Sequence, residues 1–233
     1  METKRLIGLE ILVSALSFVA YCYPIDGRVA ARCIEYVGQD GLPYDAEVEY
    51  LESTGMQYID TGVQSQDGVT AYVELLRANR YSNECYLGGY GDSSSRLWLA
   101  YSFGNTWYRG YGNNQSSTGY EANINVITSI ETILAQNSIS WYVDSAFAYS
   151  ILYSNVGFSS LVNVFMFAMS TGNGANYYAR GRIYCCKIYL HGELVRDFSP
   201  VRKHGVGYMY DNVTGELFGN QGVGSFIIGP DVH

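Results

Sequence analysis

Basic residues are scarce in this chain. Its 14 Lys and Arg stand against 22 Asp and Glu, a formal charge of −8, and the one basic run is Ser199-Pro200-Val201-Arg202-Lys203-His204-Gly205. A phosphate backbone is bound by clustered cations, so nucleic acid is disfavoured as a partner. Bulk acidity says more about solubility than about a partner. Histidine is rarer still, with 3 copies. His191 falls in a predicted two-residue turn, His204 in the basic run and His233 at the terminus. A general base has to be held by a supporting group, and none of these positions offers one. Cysteine occurs 5 times without a CxxC pair or a Cys/His cluster, which removes the usual structural zinc patterns. Cys185 and Cys186 are neighbours and would point to opposite faces of a strand, as small hydrophobes. A bridge from Cys85 to one of them is an open alternative, and the odd count leaves the redox compartment undecided.

Long apolar runs are also lacking, with one exception at the start. Lys4 and Arg5 precede an apolar stretch from Leu6 to Tyr23, interrupted by Glu10. A basic region before an apolar one is the pattern of a secretory signal, here with Ser17 or Ala20 last before the cut. The alternative is a retained N-terminal helix, because Leu6, Leu9, Val13, Leu16 and Ala20 recur at helical steps. A stable transmembrane anchor is not expected, since the run barely reaches the roughly 20 residues needed and carries a charge. Residues 24–47, with Gly-Pro punctuation and mixed polarity, read as a connector.

What the chain has in abundance is tyrosine and glycine, 23 and 26 copies, beside 4 prolines. Tyrosine favours strands and presents an apolar ring with a polar tip. From Val48 onward no segment sustains a helical period. Short Tyr/Val/Ile/Leu runs alternate with turn chemistry instead, which predicts an all-β protein. Strands are predicted at 57–62, 69–76, 84–90, 96–103, 106–111, 125–133, 138–144, 163–169 and 182–190. In 138–144, Ile139, Trp141 and Val143 share one face and Ser140, Tyr142 and Asp144 the other, so that strand has one wet side. Residues 162–169 are apolar on both faces and should lie centrally. Turns are expected at Asn105, Asp144-Ser145, His191-Gly192 and Asn212–Gly215.

Two blocks carry a resemblance: "EYLESTGMQYIDTGV" (49–63) and "KIYLHGELVRDFSPVRKHGVGYMYDNVTGELFGNQGVGSF" (187–226). Together they resemble the opening strand and the closing hairpins of the concanavalin A-like lectin/glucanase domain, laminin-G-like in form, of bacterial secreted and surface proteins. The resemblance implies a two-sheet antiparallel jelly-roll sandwich over 48–231, with the C-terminal hairpins closing beside the opening strand. "DNVTGELF" would then be scaffold. Glucanases on this fold carry Glu-x-Asp-x-x-Glu, and a retaining pair needs carboxyl groups about 5 Å apart. This sequence has no such triplet. Glu47 and Glu49 could share a face, but Glu52 falls on the other and all three belong to the opening strand. Asp92 and Asp144 sit alone in turns, where a carboxylate ordinarily accepts backbone hydrogen bonds. No metal, cofactor or catalytic residue is therefore assigned.

The remaining chemistry is aromatic. "RLWLAYSFGNTWYRGYGNNQSS" gathers Trp98, Tyr101, Trp107, Tyr108 and Tyr111 beside Arg96, Arg109, Asn113, Asn114 and Gln115. Sugar rings stack their C–H faces on aromatic rings and take hydrogen bonds from such polar groups. Trp98, Tyr101, Trp107, Tyr108, Arg109, Tyr111, Asn113 and Asn114 are the candidate ligand-binding residues. Trp107, just after the Gly104-Asn105 turn, is the expected exposed anchor. Strict alternation places Leu97, Leu99, Tyr101 and Phe103 on one face and Trp98, Ala100 and Ser102 on the other. The expected function is a non-catalytic carbohydrate-binding or adhesion module, secreted or at the bacterial surface, whose partner is a glycan or a surface protein. The alternative is a structural component of a surface layer, fimbria or phage virion, with an assembly partner. A divergent glycosidase ranks third.

Overall fold

The structure, a computed structural model, describes residues 42–80, 83–135, 138–152 and 157–232. The expected signal or apolar helix over 1–23, with Cys22 and Cys33, lies outside the described residues. Nineteen strands form among those described, and no helix. In chain order they are β1 (Ala46–Glu47), β2 (Leu51–Thr54), β3 (Ile59–Gln66), β4 (Val69–Arg77), β5 (Asn83–Tyr90), β6 (Arg96–Phe103) and β7 (Thr106–Gly112). There follow β8 (Asn114–Glu121), β9 (Ile127–Ala135), β10 (Ser138–Val143), β11 (Ala146–Leu152), β12 (Ser159–Met166) and β13 (Met169–Thr171). The chain closes with β14 (Gly174–Asn176), β15 (Arg180–Leu190), β16 (Glu193–Lys203), β17 (Val206–Asp211), β18 (Glu216–Phe218) and β19 (Ile227–Ile228).

Two sheets stack as a sandwich. The larger runs β11-β10-β9-β4-β15-β16-β17-β18, with β1 on β16, and β2 between β15 and β19. The smaller runs β14-β13-β5-β6-β7-β8, with β12 joining β5 to β3. Pairing between these strands is antiparallel except for β13, which lies parallel to β5. The expected all-β sandwich is thus the observed one, and its opening and closing segments meet through β2 and β19.

Side-chain alternation explains the layers. Ile139, Trp141 and Val143 of β10 are buried while Ser140 and Tyr142 are half-buried on the far side. Between the sheets, Val69, Ala71, Val73 and Leu75 of β4 meet Leu97, Leu99 and Trp107 of the smaller sheet in one core. β12 lies between β3 and β5, with Val164 and Met166 buried and Phe165 stacked on Tyr58 at 4.8 Å. The expected single strand 163–169 is broken, however: β12 ends at Met166, Phe167 turns at φ +63°, and β13 starts at Met169. Cys85 carries a buried thiol in no disulfide, so the alternative bridge to Cys185 or Cys186 does not form. Cys186 pairs with core-facing Val73, and Cys185 with Glu74, on opposite faces as adjacency demands.

One ion pair spans the layers. Arg77 Nε lies 2.7 Å from Glu84 Oε2, both side chains fully buried, and Arg77 Nη1 donates to the Ala122 carbonyl at 2.9 Å. Burial pushes the Glu84 carboxyl up, with Arg77 working against the shift. The "DNVTGELF" turn is held from inside. The buried Asp211 carboxylate accepts from the backbone N–H of Asp197 and Val213 and from the Thr214 hydroxyl, and Gly215 closes the turn at φ +75°. A carboxylate with that many local donors is committed to structure.

Candidate functional site

The smaller sheet has two faces of unlike finish. Its inner face joins the main core. Its outer face carries a second cluster in which buried Cys85, Tyr101 and Met169 pack with half-buried Tyr90, Trp98 and Tyr108. The cluster exists because β6 breaks its own alternation. A β-bulge between Trp98 and Tyr101 inserts an extra position, opposite a matching irregularity in β5. Leu99 and Ala100 both belong to the core, and Tyr101 is turned to the outer face beside Trp98, ring centroids 4.9 Å apart. The strict alternation read from the sequence fails at this point, since a bulge reverses the phase of every residue after it.

Glycines seat the indole. Trp98 pairs with Gly88 on β5 and Gly110 on β7. A Cβ on Gly110 would come 2.7 Å from Trp98 Cδ2, so the ring lies flat over the strand where no side chain stands. Around it opens a pocket of about 270 Å³ lined by Tyr90, Arg96, Trp98, Tyr101, Gln115, Met169 and Tyr177. Tyr90 stacks beside Trp98 at 6.5 Å, and Tyr177 meets Tyr101 edge-on at 6.1 Å. Tyr177 is 45% exposed and sits at φ +51°, a conformation unusual for a bulky residue. Its carbonyl accepts from Cys85 N at 2.8 Å, which fixes the ring at the rim.

Among the described residues the pocket is lined by three tyrosines and one cationic side chain, Arg96. Burial, with Cys85 and neighbouring tyrosines adding to it, raises the Tyr101 phenol far above its ordinary range, and its OH donates to Asn83 Oδ1 at 3.0 Å. Burial likewise holds Cys85 as a thiol. Arg96 Nη1 donates to the Asn113 carbonyl at 3.1 Å, while its Nε and the Trp98 indole N–H are buried without partners.

Of the residues singled out by sequence, Trp98 and Tyr101 line this pocket. Tyr108 packs on the same cluster, its ring 5.5 Å from Phe103. Asn113 contributes its carbonyl to Arg96, and Asn114 is exposed at the start of β8. Trp107, Arg109 and Tyr111 face the other way. The expected exposure of Trp107 is corrected: its side chain is 1% exposed and packs edge-on against Tyr86 at 6.1 Å. The cause is the odd–even phase of β7, which sends 107, 109 and 111 inward together. Tyr111 closes the core, its OH accepting from Gly68 N and donating to Asp67 Oδ1. Arg109 lies under the Tyr149 ring, 3.6 Å from its centroid, with Trp141 at 5.6 Å, and burial lowers its hold on its proton.

Tyr90, Met169 and Tyr177 were missed because they come from other strands and loops. The one traceable signal was Gly110, the strand glycine over which the Trp98 ring lies. The carboxylates considered for chemistry are engaged elsewhere. Glu52 pairs with Arg182 at 2.7 Å and Glu47 accepts from the Tyr44 hydroxyl at 2.9 Å. Asp92 accepts from Ser94 and Ser95, bonds that hold its carboxyl below the usual range, and Asp144 accepts from Ser129 N. Among the described residues no three His, Cys, Asp or Glu side chains gather as a metal site would require, and no helix is long and apolar enough to cross a membrane.

No family model matches the sequence. No curated protein matches it. Solved structures do resemble the fold. A protein of Bacteroides ovatus to which carbohydrate binding has been ascribed superposes with a TM-score of 0.58 at 11% identity, covering 78% of this chain and 60% of that one. This chain thus spans less than two thirds of that protein's length. The sialidase module CBM40 of Ruminococcus gnavus, bound to α2,3-sialyllactose, gives 0.46 at 12% identity over 60% and 89% of the two chains. A heptameric SAP-like pentraxin of Limulus polyphemus gives 0.44 at 10% over 81% and 96%. At such identities the first of these likenesses establishes the class of fold, a two-sheet antiparallel β-sandwich, and nothing finer.

Proposed function

We propose that the chain is a non-catalytic carbohydrate-binding module, secreted or displayed at a bacterial surface, whose glycan enters the outer-face pocket of the smaller sheet. The observation that carries this reading is the pocket itself. Tyr90, Trp98, Tyr101 and Tyr177 wall about 270 Å³, with the Arg96 guanidinium and Gln115 amide among them. Sugar C–H faces stack on such rings while hydroxyls meet the polar groups. The volume lies at the small end of ligand sites, which suits the end of a glycan better than an extended chain. Among the described residues no carboxylate lines the pocket, so the carboxylate pair of an ordinary glycoside hydrolase would have to come from elsewhere.

The test is a glycan array probed with the full chain and with Trp98→Ala. Binding to a subset of glycans, weakened roughly 5- to 30-fold in the variant, is expected from an aromatic stacking loss of about 1–2 kcal/mol. Silence across a broad array would remove this reading and favour a structural role in a surface assembly or virion.

A further inference from the structure

Among the described residues the pocket is lined by one cationic side chain and no anionic one. A guanidinium has five N–H donors, and the Asn113 carbonyl takes only one of those on Arg96. The Nε is buried and makes no hydrogen bond. Among the described residues Arg96 joins no ion pair, in contrast to Arg77, Arg182, Arg196 and Arg202. Its orientation is nevertheless fixed. The guanidinium carbon lies 5.6 Å from the Trp98 ring and 6.0 Å from the Tyr90 ring, within cation–π range. The Asn113 bond anchors it from the turn after β7. A guanidinium recognises anionic oxygens by its forked shape, and the Arg96 Nη2 makes no hydrogen bond among the described residues. Gln115, from β8 opposite Gly110, adds a neutral amide suited to a hydroxyl.

We propose that the pocket selects an acidic sugar, one whose carboxylate or sulfate engages the Arg96 guanidinium while its ring packs against Trp98 and Tyr101. This rests on the glycan-binding reading and narrows it. The chain as a whole is acidic, so its long-range field does not draw such a ligand in; discrimination comes from Arg96 at contact.

The experiment presents the full chain with an array in which uronate-containing, sialylated and sulfated glycans each stand beside a neutral counterpart. Hits are then titrated against their methyl-esterified or desulfated forms. At least one charged glycan should bind about tenfold to a hundredfold more tightly than its neutral form, the effect of a charge-assisted hydrogen bond. The ester and desulfation arms show which anionic group is read. Arg96→Gln should erase the difference, and Arg96→Lys, a point charge without the fork, should keep part of it. Because esterification alters only the ligand, misfolding of a variant cannot mimic this result. Charged and neutral forms bound equally well, with Trp98→Ala still weakening both, would overturn the acidic selectivity and leave glycan binding standing. No glycan bound at all would overturn both.

Discussion

Arg96 and Arg109 lie thirteen positions apart in one stretch of sequence, and the smaller sheet turns them to opposite faces. Both keep guanidinium nitrogens without hydrogen-bond partners. On the inner face the Tyr149 ring sits 3.6 Å from the Arg109 carbon and occupies the space a ligand would need. On the outer face the nearest rings to Arg96 stand at 5.6 and 6.0 Å and leave a cavity between them. The same contrast separates Trp107, packed on Tyr86 in the core, from Trp98, laid across Gly110 at a pocket. Aromatic density therefore does not by itself mark a site. What distinguishes the outer face is unspent hydrogen-bonding capacity beside open volume.

Breaking the inner face should cost the most stability. Trp107→Ala removes a fully buried ring, with an expected loss of about 3–5 kcal/mol, read as a fall in Tm of about 6–20 °C for a domain of this size. A melt within a few degrees of the parent would mean that Trp107 is not core. Gly110→Ala strikes the boundary between the faces. Its methyl displaces Trp98, so we expect about 1–3 kcal/mol of overpacking strain together with loss of glycan binding, measured by melting and titration on one preparation. Arg109→Met should sharpen the contrast with Arg96. The lost cation–π contact is offset by relief from burying an unpaired cation, so stability stays within about 1 kcal/mol and glycan affinity is unchanged. A binding defect in that variant would place the ligand on the inner face.

The smallest effect is expected on the other sheet. Glu131 is half-buried and burial alone raises its carboxyl. A raised acid is protonated more readily in the folded chain than in the unfolded one, so its charge costs stability above the raised value and costs nothing well below it. Glu131→Gln should therefore stabilise slightly at pH 7, by less than about 0.5 kcal/mol after solvent screening, and the gain should vanish in acid. Paired melting curves at pH 7 and pH 4 check both the sign and the trend.

Much of the scaffold was legible in the sequence. The predicted strand 96–103 matches β6, and Ile139, Trp141 and Val143 are buried together as their period of two required. Asp144-Ser145 and His191-Gly192 have positive φ at both central positions, as short hairpin turns demand. The site was only half legible. Trp98 and Tyr101 were read as lying on opposite faces, and a bulge, which leaves no mark on hydrophobic pattern, puts them together. Tyr177 reaches the pocket from beyond β14, and no local spacing ties it to β6. Trp107 was misplaced because its nearness to a turn suggested exposure, whereas strand phase decided its direction.

The central claim is that the outer-face pocket at Trp98 is where a glycan binds. Three tryptophans supply three indole N–H resonances, and the one missing from the spectrum of Trp98→Phe belongs to Trp98. Adding a glycan identified on the array should shift that resonance, while the signals of Trp107 and Trp141, each 1% exposed in the core, stay in place. A bound glycan that leaves the Trp98 signal fixed, or moves only the other two, would contradict the account.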